Sequence, residues 1–141
     1  MVSNDLSQVV AIENLTSHNP WSMNQFANSM TDGVVLKDQE LVVGFAVLAL
    51  VAEQAELHNL AIHPQWQGRG VGTIFLNSLI QTLPSACKML YLEVRATNYR
   101  AIRLYKQQGF EKIAERQDYY RTQMGTEDAL IMSKALYSDN E

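Results

Sequence analysis

Residues 57–94 read as strand, glycine-rich turn, helix and strand in that order, and no other feature of the chain narrows its folding options as far. Leu57 to Ile62 is a β-rich run that ends at His63-Pro64, where proline stops a ladder. Val71 to Leu83 carries apolar residues at Val71, Ile74, Phe75, Leu79 and Ile80, a helical spacing that lasts until Pro84. Met89 to Val94 is β-rich again. A strand-helix-strand unit forces its two strands parallel and its crossover right-handed. Gly68, Gly70 and Gly72 lie at the start of the helix, although a glycine inside a helix costs roughly 1 kcal/mol relative to alanine. Ligands of such units lie beyond the carboxyl ends of the strands, where the first helical N–H groups are unpaired and the helix dipole favours an anion. Two readings follow: turn glycines, or a backbone from Gln67 to Thr73 that closes onto a phosphate.

The rest of the chain predicts one α/β domain over residues 1–141, without repeats, low-complexity tracts or a linker. Leu6, Val9, Val10 and Ile12 space a first helix over residues 5–15, with Asn4 or Asp5 as its cap. A second short helix starts near Ser22. Val34 to Leu36 and Leu41 to Val51, separated by KDQE, suggest an antiparallel hairpin.

Composition excludes several classes of function. Eleven Lys and Arg against fifteen Asp and Glu leave a formal charge of −4 with no basic run, so direct nucleic-acid binding is not expected. The longest apolar run, Leu41 to Ala52, is too short for a membrane helix of roughly twenty residues. The first fifteen residues lack the basic and apolar regions of an export signal. Cys87 is the single cysteine, so no intrachain disulfide is possible and a reduced, cytoplasmic protein is expected. His18, His58 and His63 have no metal-ligand spacing with other Cys or His, so no metal is assigned.

The dinucleotide fingerprint needs glycine where this chain has Thr73, and the Gly-Lys pair of a P-loop is absent. What is spelled, from Gln67 to Gly72, is Q-x-x-G-x-G, which resembles the pyrophosphate-binding signature of the GNAT superfamily of acetyl-CoA-dependent N-acetyltransferases. Asn98 to Tyr105, followed by Gly109-Phe110, is similar to that superfamily's second signature, N-x-x-A-x-x-x-Y with a trailing G-F. Within the superfamily, NPWS at 19–22, LEVRATN at 92–98, DYY at 118–120 and EDALIM at 127–132 resemble the bacterial RimI type of ribosomal-protein-alanine N-acetyltransferase. The resemblance implies a mixed central sheet with a splayed parallel pair flanked by helices. It also implies transfer of acetyl from acetyl-CoA to the α-amine of a protein N-terminus, an N-terminal alanine of a small-subunit ribosomal protein, by direct attack in a ternary complex. The family's first strand has only Met1 to Asn4 to form it here, so that edge strand is expected to be short or absent.

Strand alternation puts Leu90, Leu92 and Val94 on one face of the second parallel strand and Tyr91, Glu93 and Arg95 on the other. Glu93 is either a carboxylate solvated near the strand end or, as the resemblance implies, the general base that takes a proton from the amine. Asn98 and Tyr105 are nearly two turns apart on one helix face, about 10.5 Å along the axis. Asn98 reads as a helix cap; by resemblance it also hydrogen-bonds CoA. Tyr105 reads as an interior aromatic; by resemblance it acts on the leaving thiolate. The family lays the pantetheine arm along Asn59, Leu60, Ala61 and Ile62, and the pyrophosphate on Gln67, Gly68, Arg69, Gly70, Val71, Gly72 and Thr73. Trp21, Tyr119 and Tyr120 have core readings beside the implied one, the lining of a peptide entrance. Cys87, in a connection without an identifiable base, reads as structural.

Other functions stay open from residues alone. Glu93 falls about twenty residues after the glycine turn, where a dinucleotide-binding fold holds a ribose-binding acid, but the third glycine of that pattern is missing. A non-catalytic acyl-CoA sensor needs neither Glu93 nor Tyr105. A lysine, a polyamine or a different N-terminus remains an alternative acceptor.

Overall fold

The computed structural model describes residues 1–17, 20–122 and 125–136. His18, and Asn19 of the NPWS segment, lie outside them. A 3-10 turn at Ser3–Asp5 leads into α1 (Leu6–Thr16) and α2 (Met23–Asn28). β1 (Gly33–Asp38), β2 (Leu41–Val51) and β3 (Gln54–Ile62) follow, then α3 (Val71–Gln81), β4 (Met89–Arg95), α4 (Tyr99–Gln107), β5 (Glu111–Thr122) and β6 (Gly125–Ala135). The six strands form one mixed sheet in the order β1-β2-β3-β4-β6-β5. The chain packs as two compact units, Met1–Ala49 with His58–Leu76, and Leu50–Leu57 with Asn77–Glu141.

In the first unit, Val9 and Ile12 of α1 meet Phe26 of α2 and Val42, Phe45, Val47 and Ala61 of the strands. Phe26 stands edge-on to Phe45, with ring centroids 5.3 Å apart. Ser22 starts α2 through a capping box: its Oγ accepts the Gln25 N–H and the Gln25 side chain accepts the Ser22 N–H. The first helix begins differently from its predicted cap. Asp5 ends the 3-10 turn and turns its carboxylate to the Val2 N–H (2.9 Å) and the Lys37 ammonium (3.0 Å). The Val2 hydrogen bond, helped by Lys37, holds the Asp5 carboxyl below the usual range. Residues 1–5 thus contribute a turn and no strand, and β1 stands at the sheet edge as the short or absent first strand implied. β1 and β2 are the predicted hairpin, closed by Gln39-Glu40 with Gln39 in the left-handed region. Val42 to Val47 is buried without interruption, as an internal strand covered on both faces requires.

In the second unit, β3 and β4 pair in parallel over Gln54–Leu57 and Met89–Leu92. The ladder joins four residue pairs, although β3 runs for nine residues and β4 for seven. β4 is antiparallel to β6 along its full length, Met89 opposite Ala135 and Arg95 opposite Ala129. Residues 111–122 and 125–135, for which periodicity predicts no element, are β5 and β6. β5 lies at the sheet edge and is exposed from Glu111 to Tyr119, so it has no apolar alternation to betray it. α3 also departs from its predicted stripe: Ile74 is two-thirds exposed, while Phe75, Leu76 and Leu79 are buried.

Candidate active site

The turn before α3 is built by local hydrogen bonds. His63 Nδ1 accepts the Gln65 N–H (3.1 Å) and caps the 3-10 turn Pro64–Trp66. Gln67 Nε2 donates to the Ile62 carbonyl (2.9 Å), which ties the turn back to the end of β3. Gly68 and Gly70 both adopt φ +78°, a conformation that costs an L residue roughly 1–2 kcal/mol. A Cβ on either would meet nothing within 4 Å, so the backbone there faces open space. Gly72 has no such φ and lies inside α3. The first helical bond is from the Ile74 N–H to the Gly70 carbonyl, which leaves the Val71, Gly72 and Thr73 N–H groups at the open helix end. Arg69 is exposed, its guanidinium 5.5 Å from the centre of the Trp66 ring.

Of the predicted pantetheine strand, Ala61 and Ile62 are buried and Asn59 and Leu60 are half-buried. The Asn59 side chain donates to Glu13 Oε2 (3.1 Å), and the same oxygen accepts the Trp21 N–H (3.0 Å). Glu13, buried on α1, therefore joins Asn59 to the segment that carries Trp21. The Trp21 ring lies against Phe26 at 5.2 Å, and the residue is half-buried against the core cluster.

The second unit gathers Glu93, Tyr119 and Tyr120. Leu90, Leu92 and Val94 are buried, as alternation predicts, and Glu93 is on the opposite face with its side chain 32% exposed. Arg116 of β5 reaches it, Nη1 to Oε1 at 3.2 Å. Arg116 also lies over the Tyr119 ring (5.1 Å), and Arg95 over the Tyr120 ring (4.5 Å). Burial pushes the Tyr120 phenol up, and the Glu93 charge adds to the effect. Arg95 is itself paired with Glu127 (3.1 Å). Glu127 accepts in addition from the Thr97 N–H (3.0 Å) and the Thr97 hydroxyl. Burial raises the Glu127 carboxyl, yet the Thr97 hydrogen bonds and Arg95 outweigh it and the net shift is downward. Sequence reasoning missed Arg116 and Glu127. Glu93 and Arg95 share a face by simple alternation, but their partners depend on the register of β4, β6 and β5.

Asn98 caps α4, its Oδ1 accepting the Ala101 N–H (3.3 Å). Tyr105 is buried against Phe110 at 5.5 Å. Burial alone raises its phenol well above the ordinary value. Both structural readings are therefore real, and each leaves chemistry in hand: the Asn98 amide keeps its NH2 group, and the Tyr105 phenol stays protonated. Cys87 is buried with its thiol donating to the Met89 carbonyl (3.6 Å). Among the described residues no group of three His, Cys, Asp or Glu is placed to hold a metal, and no helix is long and apolar enough to cross a membrane.

The family model described as "Acetyltransferase (GNAT) family" matches residues 5–110, which include α1, the glycine turn, β4 and α4. The chain belongs to the GNAT acetyltransferase family. Among its relatives, the ribosomal protein bS18-alanine N-acetyltransferase of Escherichia coli K12 is 36% identical over 133 residues, covering 92% of this GNAT chain and 90% of that protein. The enzyme of the same name from Haemophilus influenzae is 33% identical, covering 92% and 91%. The crystal structure of the Escherichia coli ribosomal-protein-S18-alanine N-acetyltransferase superposes with a TM-score of 0.89 at 33% identity, covering all of this chain and 95% of that one. Arabidopsis thaliana NAA60, solved with a bisubstrate analogue, shares the GNAT fold with a TM-score of 0.86 at 18% identity, covering 96% of this chain and 94% of that one.

Proposed function

We propose that this chain works as one cytoplasmic acetyltransferase domain that moves acetyl from acetyl-CoA to the α-amine of a protein N-terminus, an N-terminal alanine of a ribosomal protein. The observation that carries the reading is the likeness, over nine-tenths of both chains, to enzymes named for that acceptor. The glycine turn fits the donor. Gly68 and Gly70 face open space where side chains would stand, and the N–H groups of Val71, Gly72 and Thr73 suit a pyrophosphate. Gln67 supports that turn from behind, through Ile62, and Arg69 adds a cation at its rim. Main-chain groups of Asn59, Leu60 and Ala61 would hold the pantetheine arm, and the Asn98 amide would give CoA a hydrogen bond.

Acetyl-CoA supplies an activated thioester carbonyl. The chain's own residues act at the two ends of the transfer. Glu93 takes one from the substrate ammonium, leaving a neutral amine to attack. Tyr105 donates a hydrogen bond to the departing sulfur. A thiol titrates near 8.5 and a phenol near 10, and burial raises Tyr105 further. Complete proton donation is therefore uphill, and stabilisation of developing negative charge is the role its environment favours.

Tyr105→Phe is expected to slow the chemical step at every pH while acetyl-CoA binding stays within a few fold of wild type. Thioesters of more acidic thiols should suffer less. Because burial lifts the phenol above its ordinary value, the wild-type rate should show no alkaline fall from this group as pH rises to about 10. Single-turnover rates against pH check both points; loss of CoA affinity alone would make Tyr105 a binding residue.

The acceptor follows from amine basicity. An α-amine near pKa 8 is roughly a tenth neutral at pH 7, whereas a lysine near 10.4 is neutral about 250-fold less often. One modest carboxylate base suffices for the first. Mass spectrometry on peptides beginning with Ala, Ser, Met or Gly, each with an internal lysine, should find the label on the α-amine and most on Ala. Label mainly on lysine would refute the acceptor.

A further inference from the structure

We propose that Arg116 is a built-in competitor of the acceptor: its guanidinium holds the place at Glu93 that the peptide's α-ammonium takes over. The proposal rests on the reading of Glu93 as the base. The groups facing Glu93 come from three strands. Tyr91 and Arg95 share its face of β4, β5 brings Arg116, Tyr119 and Tyr120, and β6 brings Glu127 and, directly opposite, the apolar Ile131. Arg95 is committed to Glu127 and lies over Tyr120. Among the described residues, Arg116 is thus the cation paired with Glu93, at 3.2 Å.

The register explains how it reaches. Arg95 and Arg116 both stand opposite Ala129, one from each side of β6, and that small residue leaves the face open for a long side chain to cross diagonally to Glu93. The backbone beneath is fixed. Between Arg116 and Tyr120 the register shifts, Asp118 takes φ +55°, and its N–H is held by Asp128 Oδ1 at 2.9 Å. The Arg116 side chain is 51% exposed, and the Tyr119 ring gives its guanidinium a second contact that does not involve Glu93. It can leave the carboxylate by rotamer changes alone.

An α-amine is about nine-tenths protonated at pH 7, so the acceptor arrives as a cation. Replacing one cation by another keeps Glu93 compensated throughout. The difference lies in what each can give: a guanidinium does not release its proton near neutrality, whereas the ammonium can pass its proton to the carboxylate. Arg116 therefore holds the carboxylate until the acceptor binds, and binding of the acceptor costs its displacement.

The test compares wild type with Arg116→Gln, Arg116→Lys, Glu93→Gln and the double variant, on an Ala-initiated peptide, with melting temperatures to confirm folding. Exposed ion pairs of this kind change equilibria by up to about fivefold. Arg116→Gln is expected to lower the peptide KM by about two- to fivefold, with acetyl-CoA affinity unchanged. Arg116→Lys keeps a competitor and should stay near wild type. In the Glu93→Gln background, Arg116→Gln should leave KM where it was. A raised peptide KM in Arg116→Gln, or the same KM change in both backgrounds, overturns the proposal. If Glu93→Gln lowers turnover as expected but Arg116→Gln leaves KM unmoved, this proposal falls and the base stands. Wild-type turnover in Glu93→Gln removes both.

Discussion

Glu93→Gln is expected to reduce turnover by about 10² to 10⁴ at neutral pH, the range by which a positioned general base accelerates proton transfer. The amide keeps the shape of the side chain and removes its basicity. Folding should survive, because Glu93 is one-third exposed and its partner Arg116 is half exposed, so that arginine is left to solvent and not stranded in a core. The defect should shrink as pH rises from 7 towards 9, because a larger share of the α-amine then arrives neutral and needs no base. Single-turnover rates at saturating acetyl-CoA separate this from a binding defect. A variant with near-wild-type rates across that range would place the base elsewhere.

Gly70→Val should abolish measurable stabilisation by acetyl-CoA while leaving a folded protein. In the wild type, acetyl-CoA at a hundred times its dissociation constant contributes about 2.7 kcal/mol, a shift of several degrees for a chain of this size. NAD should give none. The valine Cβ stands in open space, with no heavy atom beyond its chain neighbours within 4 Å. It must instead hold φ near +78°, at a cost of roughly 1–2 kcal/mol, which lowers the melting temperature by a few degrees. Its side chain would then fill the open space that the proposed pyrophosphate needs. Thermal scans of both proteins with each ligand decide the matter: protection by NAD alone, or an undiminished acetyl-CoA shift in Gly70→Val, would sink the assignment of the turn.

The local features of this chain were legible because local forces make them. The β3-α3-β4 unit follows from apolar spacing and from proline and glycine at its joints, and its strands are parallel as such a crossover demands. The glycines at 68 and 70 answer to a backbone conformation that only glycine adopts without strain. Ser22 and Asn98 start their helices because short polar side chains satisfy the orphan N–H groups beside them. The face of β4 that carries Glu93 follows from the two-residue period of a strand.

What these rules do not reach is anything set by contacts distant in sequence. Asp5 reads as a helix cap, but Val2 and Lys37 take its carboxylate, and Lys37 arrives only when β1 folds back beside the first turn. Ile74 fits a helical stripe, yet packing buried Leu76 in its stead. β5 gives no periodic signal because an exposed edge strand has no buried face, and its two register shifts decide which residues stand beside β6. The identity of the residues around Glu93 is of this second kind. The sequence by itself determined that an acid stands on the polar face of β4, because alternation is a property of the strand. Only the tertiary structure decided that Arg116, twenty-three positions further along the chain, is the cation on it, because that pairing depends on how three strands are aligned side by side.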